Sequence, residues 1–292
     1  MLHNVTVGID GSAQSAAATG WAAREARRRG LVLRMVHVAG SETDALERDL
    51  GLEAALPARV AEICDAVAAA EPELDVTCEV RPGHPAYELA AASGRAELLV
   101  LGSRGLGGFT GLLVGSVGLR TAARSACPVV LVRAGTDDRA GADDPDAAEG
   151  EVVVGVDGER PCDAVLEFAF REAADRGAVL RAVESRTASH ESYATEAPVA
   201  QAEIREAMAA AEQVRLEDAL ARWREKFPEV RTEAEVSPWS PSRALVEASR
   251  GAALVVLGRR TARHPLTGPH LGPVVQSVLH HAHGPVAVVP HG

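Results

Sequence analysis

The chain has 292 residues, of which 47% are hydrophobic and 24% are charged, a balance typical of a globular protein with about two domains. The formal charge of −11 disfavours binding to a nucleic-acid backbone, and an aromatic content of 3% argues against platforms for stacked bases. We therefore expect no nucleic-acid partner, whereas a small anionic ligand stays compatible, because backbone amides bind anions whatever the net charge.

Targeting signals and long apolar segments are missing from the sequence. The first ten residues enter an apolar run without a basic region or a cleavage site, and no stretch is long and apolar enough to span a membrane. We expect a cytoplasmic protein with no membrane partner. Cysteines stand at positions 64, 78, 127 and 162, without a CxxC pair, and we expect them to be small core residues.

Apolar and polar runs alternate along the first half in the order strand, helix, strand, ending on a fifth strand. The Val and Leu runs are apolar on both faces, which is typical of parallel strands covered by helices on both sides. We predict strands near 4–10, 31–38, 74–81, 98–102 and 129–133, and helices over 12–29, 53–70, 85–93 and 116–125. This order indicates an α/β fold with a doubly wound parallel sheet.

The second half repeats the first. VGIDG at 7–11 returns as VGVDG at 154–158, and WAAREARRRG at 21–30 returns as FAFREAADRG at 168–177. The acidic stretch between the copies has no periodic apolar residues and is typical of a solvated linker. We predict a first domain at 1–134, a linker at 135–150 and a second domain at 151–292. The second copy carries extra residues, most simply at 185–198.

A glycine-rich stretch follows the fourth predicted strand. Gly102, Gly105, Gly115 and Ser116 form the pattern G-x2-G-x9-G-S. Glycines let the backbone approach phosphates, and a helix that begins at Ser116 presents N–H groups and a positive dipole end. Arg104 adds a positive charge, and the Ser116 hydroxyl suits both an N-cap and a phosphate contact. The spacing alone fits phosphate binding and an ordinary flexible loop equally well.

Asp10 ends the first predicted strand. In an open α/β sheet, ligands bind beyond the carboxyl ends of the strands, where the strand order changes direction. The Asp10 carboxylate suits a ribose hydroxyl or a divalent ion such as Mg²⁺, and the alternative is that it caps the first helix. We find neither a Walker lysine nor a GxSxG elbow, so the sequence does not indicate an enzyme beyond weak ATP hydrolysis.

VGIDGS, the glycine pattern, GHP at 83–85 and CPVVLV at 127–132 together resemble the universal stress proteins in their tandem, actinobacterial form. The resemblance covers both copies. It implies a sheet of order 3-2-1-4-5 in each domain, as in the adenine nucleotide alpha hydrolase-like fold, and ATP, with or without Mg²⁺, between the first and fourth strands. The matching positions are Gly8, Ile9 and Asp10 beside adenosine, Val38 beside adenine, and Gly102, Ser103, Arg104, Gly105, Gly108, Gly115 and Ser116 around the phosphates.

The family also pairs domains through their last strands. The resemblance therefore implies that the strands at 129–132 and 286–289 pair within the chain, or that they form a homodimer of chains. The alternative is that both strands are simply covered edges.

The second copy departs from the nucleotide pattern. Thr261 replaces the second glycine, and Pro273 stands in the place of Ser116, where a proline offers neither a hydroxyl nor an N–H. Glu184 takes the place of His37 on the adenine side. We predict a weak or lost second site, and its positions are Gly155, Asp157, Val183, Gly258, Arg259 and Gly272.

Two groups of basic residues in the second copy have more than one interpretation. Arg259, Arg260, Arg263 and His264 suit a different anion or a rearranged nucleotide, and a solvated loop is the simpler explanation. His280, His281 and His283 fall at a predicted helix end, where imidazoles favour the negative end of the dipole, so we prefer this interpretation to a metal site.

The leading hypothesis is an ATP-binding regulator of a stress response, with ATP in the first domain, the second domain mainly as scaffold and client proteins as partners. One alternative is an interaction module that binds no nucleotide and pairs through its helical faces or the acidic linker. Another is a slow ATPase that uses Asp10 and a divalent ion.

Overall fold

The structure is a computed structural model, and it describes residues 4–40, 55–103, 114–133, 150–185, 198–261 and 268–292. Arg104, Gly105 and Gly108 of the predicted site lie outside these residues. So do Arg263, His264, almost all of the predicted linker and most of the segment in which we expected the extra residues of the second copy.

The first half contains the predicted alternation of strands and helices. Its strands are β1 (Asn4–Ile9), β2 (Val32–Ala39), β3 (Val76–Pro82), β4 (Leu98–Gly102) and β5 (Val129–Val132). Its described helices are α1 (Ala13–Arg29), α2 (Ala55–Ala70), α3 (Pro85–Ser93) and α4 (Ser116–Arg124).

Helix α1 begins and ends where its sequence signals indicate. The Ser12 hydroxyl accepts a hydrogen bond from the Ser15 N–H at 3.1 Å, which satisfies one of the N–H groups that a helix start leaves without an intrahelical partner. At the other end, Gly30 takes a left-handed conformation with φ of 63°, which glycine adopts without steric cost.

The second half follows the same order. Its strands are β6 (Glu151–Gly155), β7 (Val179–Ser185), β8 (Thr232–Ser237), β9 (Ala252–Arg260) and β10 (Val286–His291). Its described helices are α5 (Asp163–Arg176), α6 (Pro198–Lys226), α7 (Pro241–Ala248) and α8 (Pro273–His281). Helix α6 is described over 29 residues and α2 over 16.

The ten strands of the described residues belong to one sheet, in the order β3-β2-β1-β4-β5-β10-β9-β6-β7-β8. Each half is a parallel sheet of the predicted order 3-2-1-4-5, and the halves join where β5 and β10 pair antiparallel. The pairing of the last strands is thus confirmed within the chain, with Val130 opposite Ala287. Both edges of β5 and β10 are occupied by neighbouring strands, so a homodimer through these strands would have to break this pairing, and dimerisation stays a prediction.

Each face of the sheet carries its own apolar core, as expected when helices cover both sides. One core contains buried residues of α1, α2, α5 and α6 from both halves. It includes a stack of Phe170, Trp223 and Phe227, whose ring centroids lie 5.7 to 6.4 Å apart. The other core contains buried residues of α3, α4, α7 and α8. The junction of the halves therefore lies inside a continuous core.

Two of the four cysteines form a disulfide bond that we did not expect from the sequence. Cys64 of α2 and Cys78 of β3 form a disulfide across a sequence separation of 14, with their Cα atoms 6.5 Å apart. Cys64 is buried in the core, as expected, whereas the expectation was wrong for Cys78, which is exposed. Of the other two, Cys127 is a buried thiol and Cys162 a half-buried one. The pair forms because the chain turns back after α2 and packs β3 against it, which the sequence spacing does not reveal.

Candidate functional site

Strands β1 and β4 lie side by side at the point where the strand order changes direction, so their carboxyl ends share one edge of the sheet. The backbone N–H of Ser103, just past β4, donates to the Val132 carbonyl at 2.7 Å, and the Gly115 N–H donates to the Ser103 carbonyl at 2.7 Å. These two bonds hold the start of α4 against the end of β4. The structure thus brings together the predicted residues Gly8, Ile9, Asp10, Gly102, Ser103, Gly115 and Ser116.

The start of α4 differs by one residue from the expected cap. Gly115 is the N-cap, in extended conformation with φ of −77° and ψ of 158°, and as a glycine it has no side chain that could cap the helix. The interpretation of Ser116 as the N-cap was wrong, because Ser116 is the first helical residue. Its hydroxyl is therefore not used for capping, and the first-turn N–H groups, with the positive end of the helix dipole, face the edge of the sheet.

Asp10 supports the turn into α1 without capping the helix. Its Oδ1 accepts a hydrogen bond from the Ser12 N–H at 2.9 Å, and Gly11 between them has a positive φ of 80°, a conformation that favours glycine. The alternative that Asp10 itself caps α1 was wrong, since Ser12 is the N-cap. Whether Asp10 contacts a ribose or a metal ion stays a prediction.

At two glycines of the predicted site, Gly8 and Gly102, close packing leaves no room for a larger residue. A Cβ atom on Gly102 would lie 2.8 Å from the backbone carbonyl carbon and oxygen of Gln14 in α1, and one on Gly8 would lie 2.6 Å from Leu101 Cδ2. Such distances are closer than van der Waals contact allows. The close approach of α1 to β4 therefore accounts for Gly102 even before any phosphate is considered.

Where the resemblance implies adenine, β2 contributes Val38 and a second residue that was not among the predicted site residues of this half. Val38 is buried near the end of β2. His37 is also buried, and its Nδ1 lies 2.9 Å from the carbonyl oxygen of Ile9 on β1. This contact links the two strand ends beside Asp10, and the histidine's position in an apolar strand was the only signal for it.

In the second half, the corresponding edge contains a cavity of about 580 Å³. It is lined by residues of the turn after β6, the ends of β9 and β10, and the start of α8, including Gly155, Asp157, Gly258, Arg259 and Gly272 of the predicted second site. Val183 is buried and is not among the lining residues. Pro273 is the first residue of α8, with Gly272 as its N-cap, so the loss of the serine hydroxyl falls at the helix start, as the sequence indicates.

Glu184 makes the second half differ from the first at the position where the resemblance implies adenine. Its Oε1 accepts a hydrogen bond from the Gly158 N–H at 3.1 Å, and its Oε2 is buried with no hydrogen-bond partner among the described residues. Burial raises the pKa of this carboxyl, and the nearby Glu212 and Asp157 act in the same direction. The position that holds an imidazole in the first half thus holds a buried acidic group in the second.

The described part of the chain contains neither a metal-binding cluster nor a membrane-spanning helix. His280 and His281 lie in the last turn of α8, as predicted, and within the described ranges no cluster of three or more His, Cys, Asp or Glu side chains suits a metal ion. None of the described helices combines the length and the apolar character needed to cross a bilayer.

The fold and the site define a class of tandem α/β proteins whose two halves each carry a candidate ligand site at the change in strand order. The model of the universal stress protein family matches residues 1–133 and 150–290, and the chain belongs to this family. A universal stress protein of Mycobacterium tuberculosis is 33% identical over 98% of this chain and 96% of the relative. A second one from the same species is 32% identical over 97% of this chain and 95% of the relative.

Solved structures share the fold at lower sequence identity. The crystal structure of a universal stress protein from Archaeoglobus fulgidus is 18% identical, with a TM-score of 0.65 over 100% of this chain and 97% of that chain. A putative universal stress protein from Pseudomonas aeruginosa is 14% identical, with a TM-score of 0.59 over 99% of this chain and 93% of that chain. These similarities extend to the tandem arrangement, because they cover both halves.

Proposed function

We propose that this chain is an ATP-binding universal stress protein that works in the cytoplasm and regulates a stress response through client proteins. ATP binds in the first domain, residues 1–134, and the second domain, residues 151–292, follows a linker at 135–150. The observation that carries the proposal is the uncapped start of α4, which the Gly115 to Ser103 hydrogen bond at 2.7 Å holds against the end of β4.

The groups at the start of α4 are suited to binding a triphosphate. Backbone N–H groups in the first turn of α4 and the exposed Ser116 hydroxyl donate hydrogen bonds, and the helix dipole favours negative charge at this end. Arg104 and the glycines that follow it complete the phosphate side in this proposal. The protein thus needs no lysine to hold the phosphates, and the absence of a Walker motif is consistent with binding without fast turnover.

The nucleoside would lie toward β1 and β2. There Asp10 offers a carboxylate to a ribose hydroxyl or, through Mg²⁺, to the phosphates. Because Oδ1 of Asp10 already accepts the Ser12 N–H at 2.9 Å, the carboxylate is held in place by the turn. The buried His37 fixes Ile9, and the backbone at Val38 is the proposed adenine contact.

The experiment is a calorimetric titration of ATP with Mg²⁺ into nucleotide-free protein. One variant carries Gly115→Ala with Ser116→Ala, and its matched control is Ser240→Ala, which alters an exposed helix N-cap in the second domain that makes no capping bond. We expect one site per chain in the wild type and the control, and its loss in the double variant. No heat with wild-type protein would overturn the proposal and favour the interaction module.

The slow ATPase is tested on the same proteins. Phosphate release that exceeds one turnover and disappears with Asp10→Ala would support catalysis. Binding without turnover would dismiss it and leave ATP as a regulatory ligand.

A further inference from the structure

The cavity of the second half has a basic end. Among its lining residues are Arg259 and Arg260 at the end of β9 and His291 at the end of β10. A third arginine, Arg160, lies 3.5 Å from Asp157, and both members of this pair are exposed, so their charges offset each other locally. In a chain with a net charge of −11, the two remaining arginines make this end a local positive site.

Arg259 is the buried member of the basic end, with only 5% of its surface exposed. One Nη donates to the Ser125 carbonyl in the first half at 2.5 Å, which fixes the guanidinium. Its Nε is buried and has no hydrogen-bond partner in the described part of the chain. Burial lowers the pKa of this group. A charged donor left unsatisfied in the interior is costly, and an anion in the cavity would remove that cost.

Two helices also begin at this cavity. The N-caps of α5 and α8, Cys162 and Gly272, both line it, and neither helix has a side-chain capping bond. The dipoles of both helices therefore add positive potential to the same space as the arginines.

The nucleoside side of this cavity does not favour ATP. Glu184 places a buried carboxylate on the Gly158 N–H where the first half has His37, and Val183 and Glu184 do not line the cavity. Pro273 removes a hydroxyl and an N–H at the start of α8. The space that remains lies on the phosphate side, toward Arg259 and Arg260.

We propose that the second-half cavity binds a compact anion of the phosphate or phosphate-monoester class, held by Arg259 and Arg260, and that it does not bind ATP. Such an anion satisfies the Arg259 Nε with a charge-assisted hydrogen bond and needs no base pocket. This site is separate from the ATP site proposed in the first half. A free inorganic anion and a phosphorylated small molecule share this chemistry.

The test measures binding of inorganic phosphate and of glycerol phosphate, by calorimetry and by broadening of their phosphorus NMR signals. The proteins are the full-length wild type, Arg260→Gln, and the matched control Arg231→Gln, an arginine that is 77% exposed and pairs with Glu233. We expect one site per chain, weakened at least tenfold by Arg260→Gln and unchanged by Arg231→Gln. Tighter binding of inorganic phosphate than of the ester would assign the site to inorganic anions, and the reverse to phosphorylated small molecules.

Two further measurements distinguish the anion site of the second half from the ATP site proposed in the first half. The Gly115→Ala, Ser116→Ala variant should bind the anion as the wild type does, and excess ATP should not displace it. Loss of anion binding in that variant, displacement by ATP or equal affinity of Arg260→Gln and wild type would each overturn the proposal. Because Arg260 is exposed, its substitution should leave the fold intact, and a melting curve checks this.

Discussion

The guanidinium of Arg176 lies 2.7 Å from the carboxylate of Glu25, although Arg176 ends α5 in the second half and Glu25 lies on α1 in the first. The repeat makes the contact reciprocal, because Arg29 of α1 pairs with Glu172 of α5. Each arginine also covers an aromatic ring of the other half, Arg176 over Trp21 at 5.5 Å and Arg29 over Phe168 at 5.9 Å. Equivalent positions of the two copies therefore form the charged part of the junction between the halves.

The two carboxyls of this junction differ in acidity. Burial raises the pKa of Glu172 to about 7, against the opposing effect of Arg176. Burial acts on Glu25 in the same way, but Arg176, Arg29 and Arg28 together hold its pKa below the usual value. One carboxyl of the pair therefore titrates near neutral pH, and the other stays ionised.

The first prediction concerns the pH dependence of stability. Between its ordinary pKa of 4.5 and about 7, Glu172 holds a proton in the folded chain and not in the unfolded one, so its contribution to stability is complete below pH 4.5 and is lost as the pH rises through 7. We expect the free energy of unfolding of the wild type, relative to Glu172→Gln, to fall by about 3 kcal/mol over this window. Urea unfolding at several pH values measures it.

Glu25 should contribute to stability with the opposite pH dependence. With its lowered pKa, it contributes stability above pH 4.5 and loses it as the pH falls through its folded-state value. A wild type whose stability rises from pH 5 to 7 relative to Glu172→Gln would contradict the assignment.

The second prediction is that the charged junction contributes more to the free energy of unfolding than an exposed ion pair does. Arg176→Ala should lower the free energy of unfolding by about 3 kcal/mol, because the two buried carboxyls lose one of their two shared arginines and keep only Arg29 in common. The matched control is Arg171→Ala on the same helix, whose pair with Glu167 is exposed and should contribute less than about 1 kcal/mol. Chemical unfolding followed by circular dichroism compares them, and equal losses would show that the junction has no special stability.

Much of the fold could be predicted from the sequence, because strands buried on both faces are apolar throughout and helix ends carry Ser12 and Gly30. The charged part of the junction could not, although the repeat preserves its residues: Glu25 and Arg29 recur as Glu172 and Arg176. Trp21 is buried, but the sequence of its helix alone does not show that an arginine of the other half covers it. The described candidate residues of the first half lie at the predicted edge of the sheet, whereas the cap at Gly115 and the packing of Gly102 depend on tertiary contacts that the sequence does not show.

The third prediction concerns the disulfide. Reaction with a thiol reagent should detect two cysteines, Cys127 and Cys162, in unfolded protein without reductant, and four after reduction. Reduction should destabilise the wild type by up to about 3 kcal/mol, since it frees a loop of this length in the unfolded chain. Cys78→Ser should not respond to reductant, whereas the control Cys162→Ser should respond as the wild type does. Four reactive thiols before reduction would show that the bond is not formed.

The fourth prediction separates packing from ligand binding at the glycine pattern. Gly102→Ala should lower the free energy of unfolding of ligand-free protein by about 1 to 3 kcal/mol, because the new methyl group would lie 2.8 Å from the Gln14 backbone and α1 would have to shift. The matched control is Gly272→Ala, where no atom lies within 4 Å of the added Cβ and the φ of −64° suits alanine. Thermal and urea unfolding without nucleotide measure both variants. A stable Gly102→Ala protein that nevertheless fails to bind ATP would instead assign this glycine to the phosphates, because packing would then not account for it.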